Sequence, residues 1–195
     1  MSVTTVSSSM ITDATIVNAD IGASAAIAQS KLAALASANM PAGSVVQVVN
    51  AVTTARVTGT TAATQDDTIP QNSEGVEMLT LAITPTHASN KLVIIVNMSA
   101  SHTIIQANIV MALFQDSTAN AIAAIMHNSQ KLTVAQRPVI LHMDHFMAAG
   151  TTSATTFKVR IGSLSGGTID INSAAGARLW GGVSSATIRI MEIKV

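Results

Sequence analysis

The residues best suited to chemistry lie in the sequence HMDH at positions 142–145. On a β-strand, His142 and Asp144 would share one face and His145 would point to the other, because side chains alternate. One histidine and one carboxylate from each of three copies could surround a divalent metal on a threefold axis. Alternatively, these are polar residues on the wetter strand face, with His145 hydrogen-bonded in the interior. Two ligands per chain make a weak motif, so we predict no metal and no cofactor and keep His142 and Asp144 as weak candidates.

The sequence QDDTIP places two further carboxylates, Asp66 and Asp67, in a polar stretch. They could bind calcium together with loop carbonyls, but calcium needs six or more oxygens and no EF-hand spacing follows. Aspartate that shapes the turn before Thr-Ile-Pro is the interpretation that we favour. Asp66 and Asp67 also remain candidates for a receptor-binding surface loop.

Trp180 is the chain's single tryptophan and is followed by two glycines. It either fills the core near a bend, which we favour, or stands exposed as a stacking platform for a ligand such as a sugar ring. We therefore include Trp180 among the candidate receptor residues.

No pattern indicates an enzyme. The chain has no cysteine, no Ser–His–Asp arrangement stands out, and glutamate occurs only at 74, 77 and 192, which gives no carboxylate pair for glycoside hydrolysis. The sequence SLSGGTI at 163–169 lacks a phosphate-loop lysine and predicts a hairpin turn. We expect a structural or binding protein.

The composition limits the partners. Charged residues make up 10% of the 195 residues, hydrophobic residues 48%, and the formal net charge is zero. Nucleic acid and anionic membranes are disfavoured, because both need clustered Lys and Arg. The longest aliphatic run, LVIIV at 92–96, is too short to span a bilayer, and the first residues lack the features of a signal peptide. A surface with so few charges favours association, although a weakly charged monomer is the alternative.

Residues 1–40 form a segment of Ser, Thr and Ala with aliphatic residues mostly five or six positions apart. This spacing fits neither a helix nor a strand, although residues 24–38 could form a short helix capped by Ser24. We predict that the segment is ordered by copies of itself or by a larger assembly. The predicted oligomer and docking residues are Ile11, Ile16, Ile21, Ile27, Leu32 and Leu35.

Residues 41–195 are rich in β-branched residues and turn sequences, without a βαβ rhythm, which predicts an antiparallel sandwich or jelly roll. LVIIV does not alternate, so we expect that strand to be covered on both faces. Residues 57–75 would form a mobile surface loop or one that clasps a neighbouring subunit. The predicted strands are 44–52, 76–84, 91–100, 107–115, 138–148, 155–162 and 186–195, with possible short strands at 121–127 and 177–180.

The sequence ITDATIVNADIGASAAIAQSKL resembles the repeat-like N-terminal sequences of bacteriophage fibre proteins. DDTIPQNSEGVEMLTLAITPTHASNKLVIIV resembles the C-terminal β-domain of small phage tail-fibre and receptor-binding proteins, and ATIRIMEIKV is similar to its terminal strand. The resemblance implies a homotrimeric virion fibre or tip protein assembled in the host cytoplasm. Its N-terminal segment would face other virion proteins, and its β-domain would face outward towards a host-surface glycan or protein. A capsid decoration or head-fibre protein without receptor binding is the alternative.

Overall fold

The computed structural model describes residue 21 and residues 39–105, 107–128 and 137–195. The predicted helix at 24–38 and the docking residues Ile11, Ile16, Ile27, Leu32 and Leu35 lie outside the described residues. Ile21 is described and is 40% exposed. The docking role and the division at residue 40 therefore stay predictions. In the described part of the chain, no helix has the length and apolar character that a membrane span requires.

Residues 39–195 form a compact unit that is almost entirely β-structure. A three-residue 3-10 turn at Trp180–Gly182 accompanies the strands. The described strands are β1 (Val45–Thr53), β2 (Val57–Gly59), β3 (Val76–Ile83), β4 (Lys91–His102), β5 (Asn108–Gln115), β6 (Ala123–Asn128), β7 (Val139–Ala148), β8 (Thr155–Gly162), β9 (Ile169–Ile171), β10 (Ser173–Ala174), β11 (Ala177–Arg178) and β12 (Ala186–Ile193).

The eight longer strands build two antiparallel sheets. Sheet I has the order β1-β12-β4-β7, and sheet II has the order β3-β8-β5-β6. With these eight strands taken in chain order, the first lies beside the last and the second beside the next to last, as in a jelly roll. Strands β9 and β2 extend sheet I beyond the end of β12, and β10 and β11 form a small hairpin. The predicted all-β, jelly-roll-like sandwich is confirmed.

Alternation along the strands creates the core between the two sheets. In β12, Ala186, Ile188 and Ile190 are fully buried, whereas Arg189 between them is exposed. The largest fully buried side chains include Phe157 of sheet II, which lies in the same core.

Two local predictions are wrong. In β4, Leu92, Ile94 and Val96 point into the core, but Val93 and Ile95 are half-buried on the outer face of sheet I, so among the described residues only the inner face of this strand is fully covered. The segment SLSGGTI is not a hairpin, because β8 belongs to sheet II and β9 to sheet I. It carries the chain from one sheet to the other.

The loop that was predicted over residues 57–75 starts with β2 and then folds back on its own chain. A Cβ on Gly162 would lie 2.6 Å from Ala63, so the loop touches the end of β8. Asn108 Nδ2 donates to Gln65 Oε1 at 2.7 Å, and Ala121 N donates to Pro70 O at 2.9 Å. These contacts reach both ends of β5 and lay the loop along the outer side of sheet II. The outward side chains of β5 are buried: Val110, Ala112 and Phe114.

A buried carboxylate closes the end of the sandwich at which the chain enters β1. Glu192 is fully buried and accepts hydrogen bonds from Asn90 Nδ2 at 2.7 Å, Thr86 N at 2.8 Å and Gln47 Nε2 at 3.0 Å. Burial alone would raise the pKa of Glu192, but the hydrogen bonds from Asn90, Thr86 and Gln47 outweigh it and lower the pKa. The ionised carboxylate thus joins β1, β12 and the β3–β4 turn.

Candidate functional site

The connection between β9 and β12, residues 172–185, lies on the outer side of sheet I. Asn172 holds it there: its backbone N–H donates to Ser99 O at 3.0 Å, and its Nδ2 donates to Thr53 O at 2.9 Å and Ala55 O at 3.1 Å. Asn172 has φ 56°, a left-handed conformation that asparagine adopts more readily than most residues. One side chain therefore fixes the start of the connection.

Trp180 stands at the far end of this connection. Its side chain is exposed, with 70% of its area open to solvent, so the prediction that it fills the core is wrong. The backbone has φ 47° at Trp180 and positive φ at Gly181 and Gly182, which turns the chain sharply and aims the ring away from the core. A non-glycine residue in this region costs about 1–3 kcal/mol, which the surrounding structure must offset.

Trp180 borders a cleft of about 310 Å³. Ile140, outward on β7 and 70% exposed, adds apolar surface, and Asn97 and Ser99 contribute polar groups from β4. The other described lining residues are Met98, Pro138, Ser184 and Ser185. An exposed aromatic ring beside an amide and hydroxyls is an arrangement that can stack on an apolar ring face and bind its polar substituents.

The HMDH residues support this cleft from one side. As alternation predicts, His142 and Asp144 are neighbours on the outer face, with Nε2 and Oδ2 3.2 Å apart. His142 Nδ1 lies 2.6 Å from Asn97 Oδ1, so a ring protonated at Nδ1 donates to the amide oxygen and orients the Asn97 amide. His145 faces the other way, and burial lowers its pKa.

The metal interpretation of His142 and Asp144 stays a prediction. Within residues 39–105, 107–128 and 137–195, no group of three or more histidines or acidic residues that could hold a metal is present.

Asp66 and Asp67 line a different cleft, of about 320 Å³, between loop residues 66–70 and residues 121–124. Asp66 Oδ1 accepts from Thr68 Oγ1 at 2.5 Å and from Thr68 N at 2.8 Å, and these two bonds lower the pKa of Asp66. The turn-forming interpretation of Asp66 is therefore confirmed. This cleft lies beside sheet II, so the structure does not bring Asp66 and Asp67 together with Trp180.

Sequence reasoning missed Glu74, which organises the same loop. Its Oε1 accepts from Thr64 Oγ1 and from Thr64 N, and its Oε2 accepts from Gln71 N at 2.7 Å. The hydrogen bond from the Thr64 hydroxyl is the main cause of a lowered pKa at Glu74. These hydrogen bonds stabilise the conformation of the loop and do not indicate a ligand-binding site.

Sequence reasoning also missed Asn97, Ile140 and Ser184 as neighbours of Trp180. Asn97 lies opposite His142 and Ser99 opposite Ile140 in the register of β4 and β7, which is known only once the strands are paired. The sequence signal that pointed to an exposed Trp180 was the Gly181–Gly182 pair, because consecutive glycines are typical of surface turns.

No protein-family model matches this chain, and no curated protein matches it significantly. Solved structures with similar folds include the sugar-binding C-terminal domain of EclA, at 21% identity over 61% of this chain and 74% of that one, with a TM-score of 0.34. The structure of infectious bursal disease virus Gt strain is similar at 8% identity over 76% of this chain and 38% of that one, with a TM-score of 0.36. Dimeric latent PorU from Porphyromonas gingivalis is similar at 7% identity over 79% of this chain and 14% of that one, also at 0.36. TM-scores this low give no information on the function of this chain.

Proposed function

We propose that this chain is a non-enzymatic structural protein of a bacteriophage virion, namely a fibre or tip protein that presents its β-domain to the host surface. Residues 1–40 would dock onto other virion proteins and onto sister chains in a homotrimer, and residues 41–195 would be displayed outward. The sequence resemblance, the jelly-roll fold and the charged fraction of 10% support this proposal.

The observation that carries the recognition role is the position of the exposed Trp180 cleft. The chain enters the sandwich where β1 begins, and Val45 pairs with Ile193, which in turn pairs with Lys91 at the start of β4. The cleft is lined by Ser99, eight residues further along β4, or about 27 Å away at 3.4 Å per residue. A protein held at the first end would present the cleft at the other.

The lining of this cleft suits a glycan better than a charged ligand. Trp180 and Ile140 offer apolar surface to a sugar ring, and Asn97 and Ser185 offer an amide and a hydroxyl to its hydroxyl groups. Among the described residues, no Lys, Arg, Asp or Glu lines this cleft. We therefore favour a neutral host-surface glycan, and a protein receptor is the competing outcome of the test.

The test compares the native full-length chain with Trp180→Ala on a glycan array and in protection of host cells against infection. Loss of stacking should weaken binding at least about tenfold, which corresponds to 1.4 kcal/mol. Val183→Ala is the matched control, because Val183 is 81% exposed in the same connection but does not line the cleft. Unchanged binding by Trp180→Ala would refute the site. Protection of cells without any glycan signal would indicate a protein receptor.

The docking role has its own test in assembled particles. Replacement of Ile16 and Ile21 with Asp should abolish incorporation while the β-domain stays folded, because both changes place charge in the predicted aliphatic contact. Normal incorporation would contradict the docking role. Antibody labelling of particles should mark a fibre or tip, and labelling spread over the capsid would favour a decoration protein.

A further inference from the structure

The outer face of sheet I is unusually apolar for a surface. Its strands are in register, so that outward residues form rows across β1, β12, β4 and β7. One row consists of Val48, Met191, Val93 and Phe146, in which each residue pairs with the next. Val48 is 52% exposed and Phe146 is 63% exposed. A continuous row of four large apolar side chains, of which Val48 and Phe146 are exposed and Met191 and Val93 half-buried, is characteristic of a surface that another protein covers.

The outer face of sheet II is covered by a loop of the chain, whereas the apolar row on sheet I is not covered by any described residues. The loop at 60–75 lies along the outer side of sheet II and leaves outward residues of β5 buried. Within the described part of the chain, no comparable segment covers the Val48–Phe146 row. The β9–β12 connection covers only the far end of sheet I, around Ser99 and Ser101, which are buried.

The next row carries opposite charges on opposite sides of β4. It consists of Asn50, Arg189, Ile95 and Asp144. Arg189 and Asp144 are both exposed, and the two strand-to-strand spacings between β12 and β7 put their backbones about 9–10 Å apart. Among the described residues Arg189 has no ion pair, and Asp144 pairs with His142. The face therefore has a positive side on β12 and a negative side on β7.

We propose that this face is the surface through which copies of the chain associate, with Arg189 of one copy beside the partner's Asp144. In a cyclic assembly whose axis runs parallel to the strands, the β12 side of one copy meets the β7 side of the next. Each row then meets the same row of the neighbour, so that the apolar rows pack together and the opposite charges face each other. This inference rests on the proposed fibre assembly and identifies the face that forms it.

The area of this face determines how strongly two copies of the chain are expected to associate. Four strands about 4.8 Å apart and seven residues long at 3.4 Å each give about 450 Å² per copy. Two copies would bury about 900 Å², close to the roughly 1,000 Å² that specific interfaces need. Association through this face should therefore depend on concentration. The Trp180 cleft borders one end of this face, because its lining residue Asn97 lies two residues, or about 7 Å, beyond Ile95 of the charged row.

Cysteine cross-linking of the full-length chain tests the proposal, because the native sequence has no cysteine. An equimolar mixture of the single variants Asp144→Cys and Arg189→Cys is treated with a bismaleimide whose reach matches the spacing of about 10 Å between packed sheets. Single variants are used because the two sites of one chain lie only about 9–10 Å apart and would otherwise be linked within that chain. The mixture should give chains linked to twice the chain mass, in at least about tenfold higher yield than a control. The control is an equimolar mixture of Thr80→Cys and Ala82→Cys, whose sites are exposed on β3 of sheet II.

Light scattering of the native chain over a range of concentrations separates the possible failures. If the native chain is an oligomer but the mixture of Asp144→Cys and Arg189→Cys does not cross-link above the control, this face is overturned and the fibre assembly stands. A native chain that stays single at every concentration overturns both. As an independent check, Phe146→Asp should shift the midpoint of dissociation to at least about tenfold higher concentration, and an unchanged midpoint counts against the face.

Discussion

Replacement of the buried carboxylate of Glu192 by an amide should destabilise the sandwich strongly. Glu192 Oε1 accepts from Asn90 Nδ2 at 2.7 Å and from both the backbone N and Oγ1 of Thr86 at 2.8 Å. Glu192 Oε2 accepts from Gln47 Nε2 at 3.0 Å. In Glu192→Gln, one of these oxygens becomes an NH₂ group.

The magnitude follows from these bonds. Hydrogen bonds to a charged group contribute about 1.5–3 kcal/mol each, against about 0.5–1.5 for neutral pairs. If the amide oxygen keeps the bonds from Asn90 and Thr86 at Oε1, each of them loses about 1 kcal/mol of charge assistance. The new NH₂ group faces the Gln47 amide donor, which must turn away and give up its bond to Thr84 O. We expect the free energy of unfolding to fall by about 3 kcal/mol at pH 7.

The loss should shrink in acid. The pKa of Glu192 lies below its ordinary value of 4.5 in the folded chain, so that below about pH 5 the unfolded chain binds a proton that the folded chain does not. Its stabilising contribution is therefore present above pH 4.5 and is lost as the pH falls through the lowered folded pKa. A glutamine at this position cannot titrate, so the difference between native chain and variant should narrow from pH 7 to pH 3.

Urea unfolding of both proteins at pH 7, 5 and 3, at one fixed protein concentration, measures this difference. Glu77→Gln is the control, because Glu77 is an exposed carboxylate on β3 whose Oε2 lies 3.9 Å from Arg160, and such pairs contribute at most about 1 kcal/mol. A Glu192→Gln variant as stable as the Glu77→Gln control at pH 7, or a difference that widens in acid, would refute the reasoning.

Three further predictions concern the connection at Trp180 and the loop at 60–75. Asn172→Ala should lower the free energy of unfolding by about 2–4 kcal/mol in urea titrations, because it removes two hydrogen bonds to Thr53 and Ala55 and strains a residue at φ 56°. Asn172→Gly removes the same hydrogen bonds without the backbone strain, so it should cost less. Equal losses in the two variants would show that backbone strain contributes nothing. Trp180→Gly should leave the free energy of unfolding unchanged or raise it by about 1 kcal/mol in thermal unfolding, because the side chain is exposed and glycine accepts φ 47°. A clear loss of stability would contradict the exposed position of Trp180. Gly162→Ala should lower the free energy of unfolding by about 1–3 kcal/mol and increase proteolysis within the loop, because the added Cβ would lie 2.6 Å from Ala63. Resistance to proteolysis equal to that of the native chain would show that the loop does not pack against Gly162.

Strand positions could be predicted because they depend on local patterns. Alternation in MLTLAI and TIRIME marks one buried face in β3 and β12, and the structure has strands there. The jelly roll itself followed from many short strands without a βαβ rhythm, since few architectures accommodate such a series.

The candidate site could not be predicted in the same way, because its contacts join distant parts of the chain. Asn172 bonds to Thr53 and Ala55, more than a hundred residues away, and Asn97 meets His142 across two strands whose pairing the sequence does not state. Tryptophan is usually buried, and only the geometry of the Gly181–Gly182 turn places Trp180 in the open. Local patterns carry no information on such contacts.

The incorrect prediction for LVIIV at 92–96 has a physical explanation in the proposed interface. A strand with one solvent-exposed face should alternate, and Val93 and Ile95 break that alternation on the outer face of sheet I. Val93 lies in line with Met191 on one side and Phe146 on the other, and Ile95 lies between Arg189 and Asp144. If copies of the chain cover this face, the strand is buried on both sides in the assembly, and its sequence pattern describes the oligomer. Val93→Thr then separates the two explanations: it should leave the unfolding of dilute chains within about 0.5 kcal/mol, as expected at a surface position, yet weaken association in light scattering. A variant that loses stability but associates normally would show that Val93 serves the single chain alone.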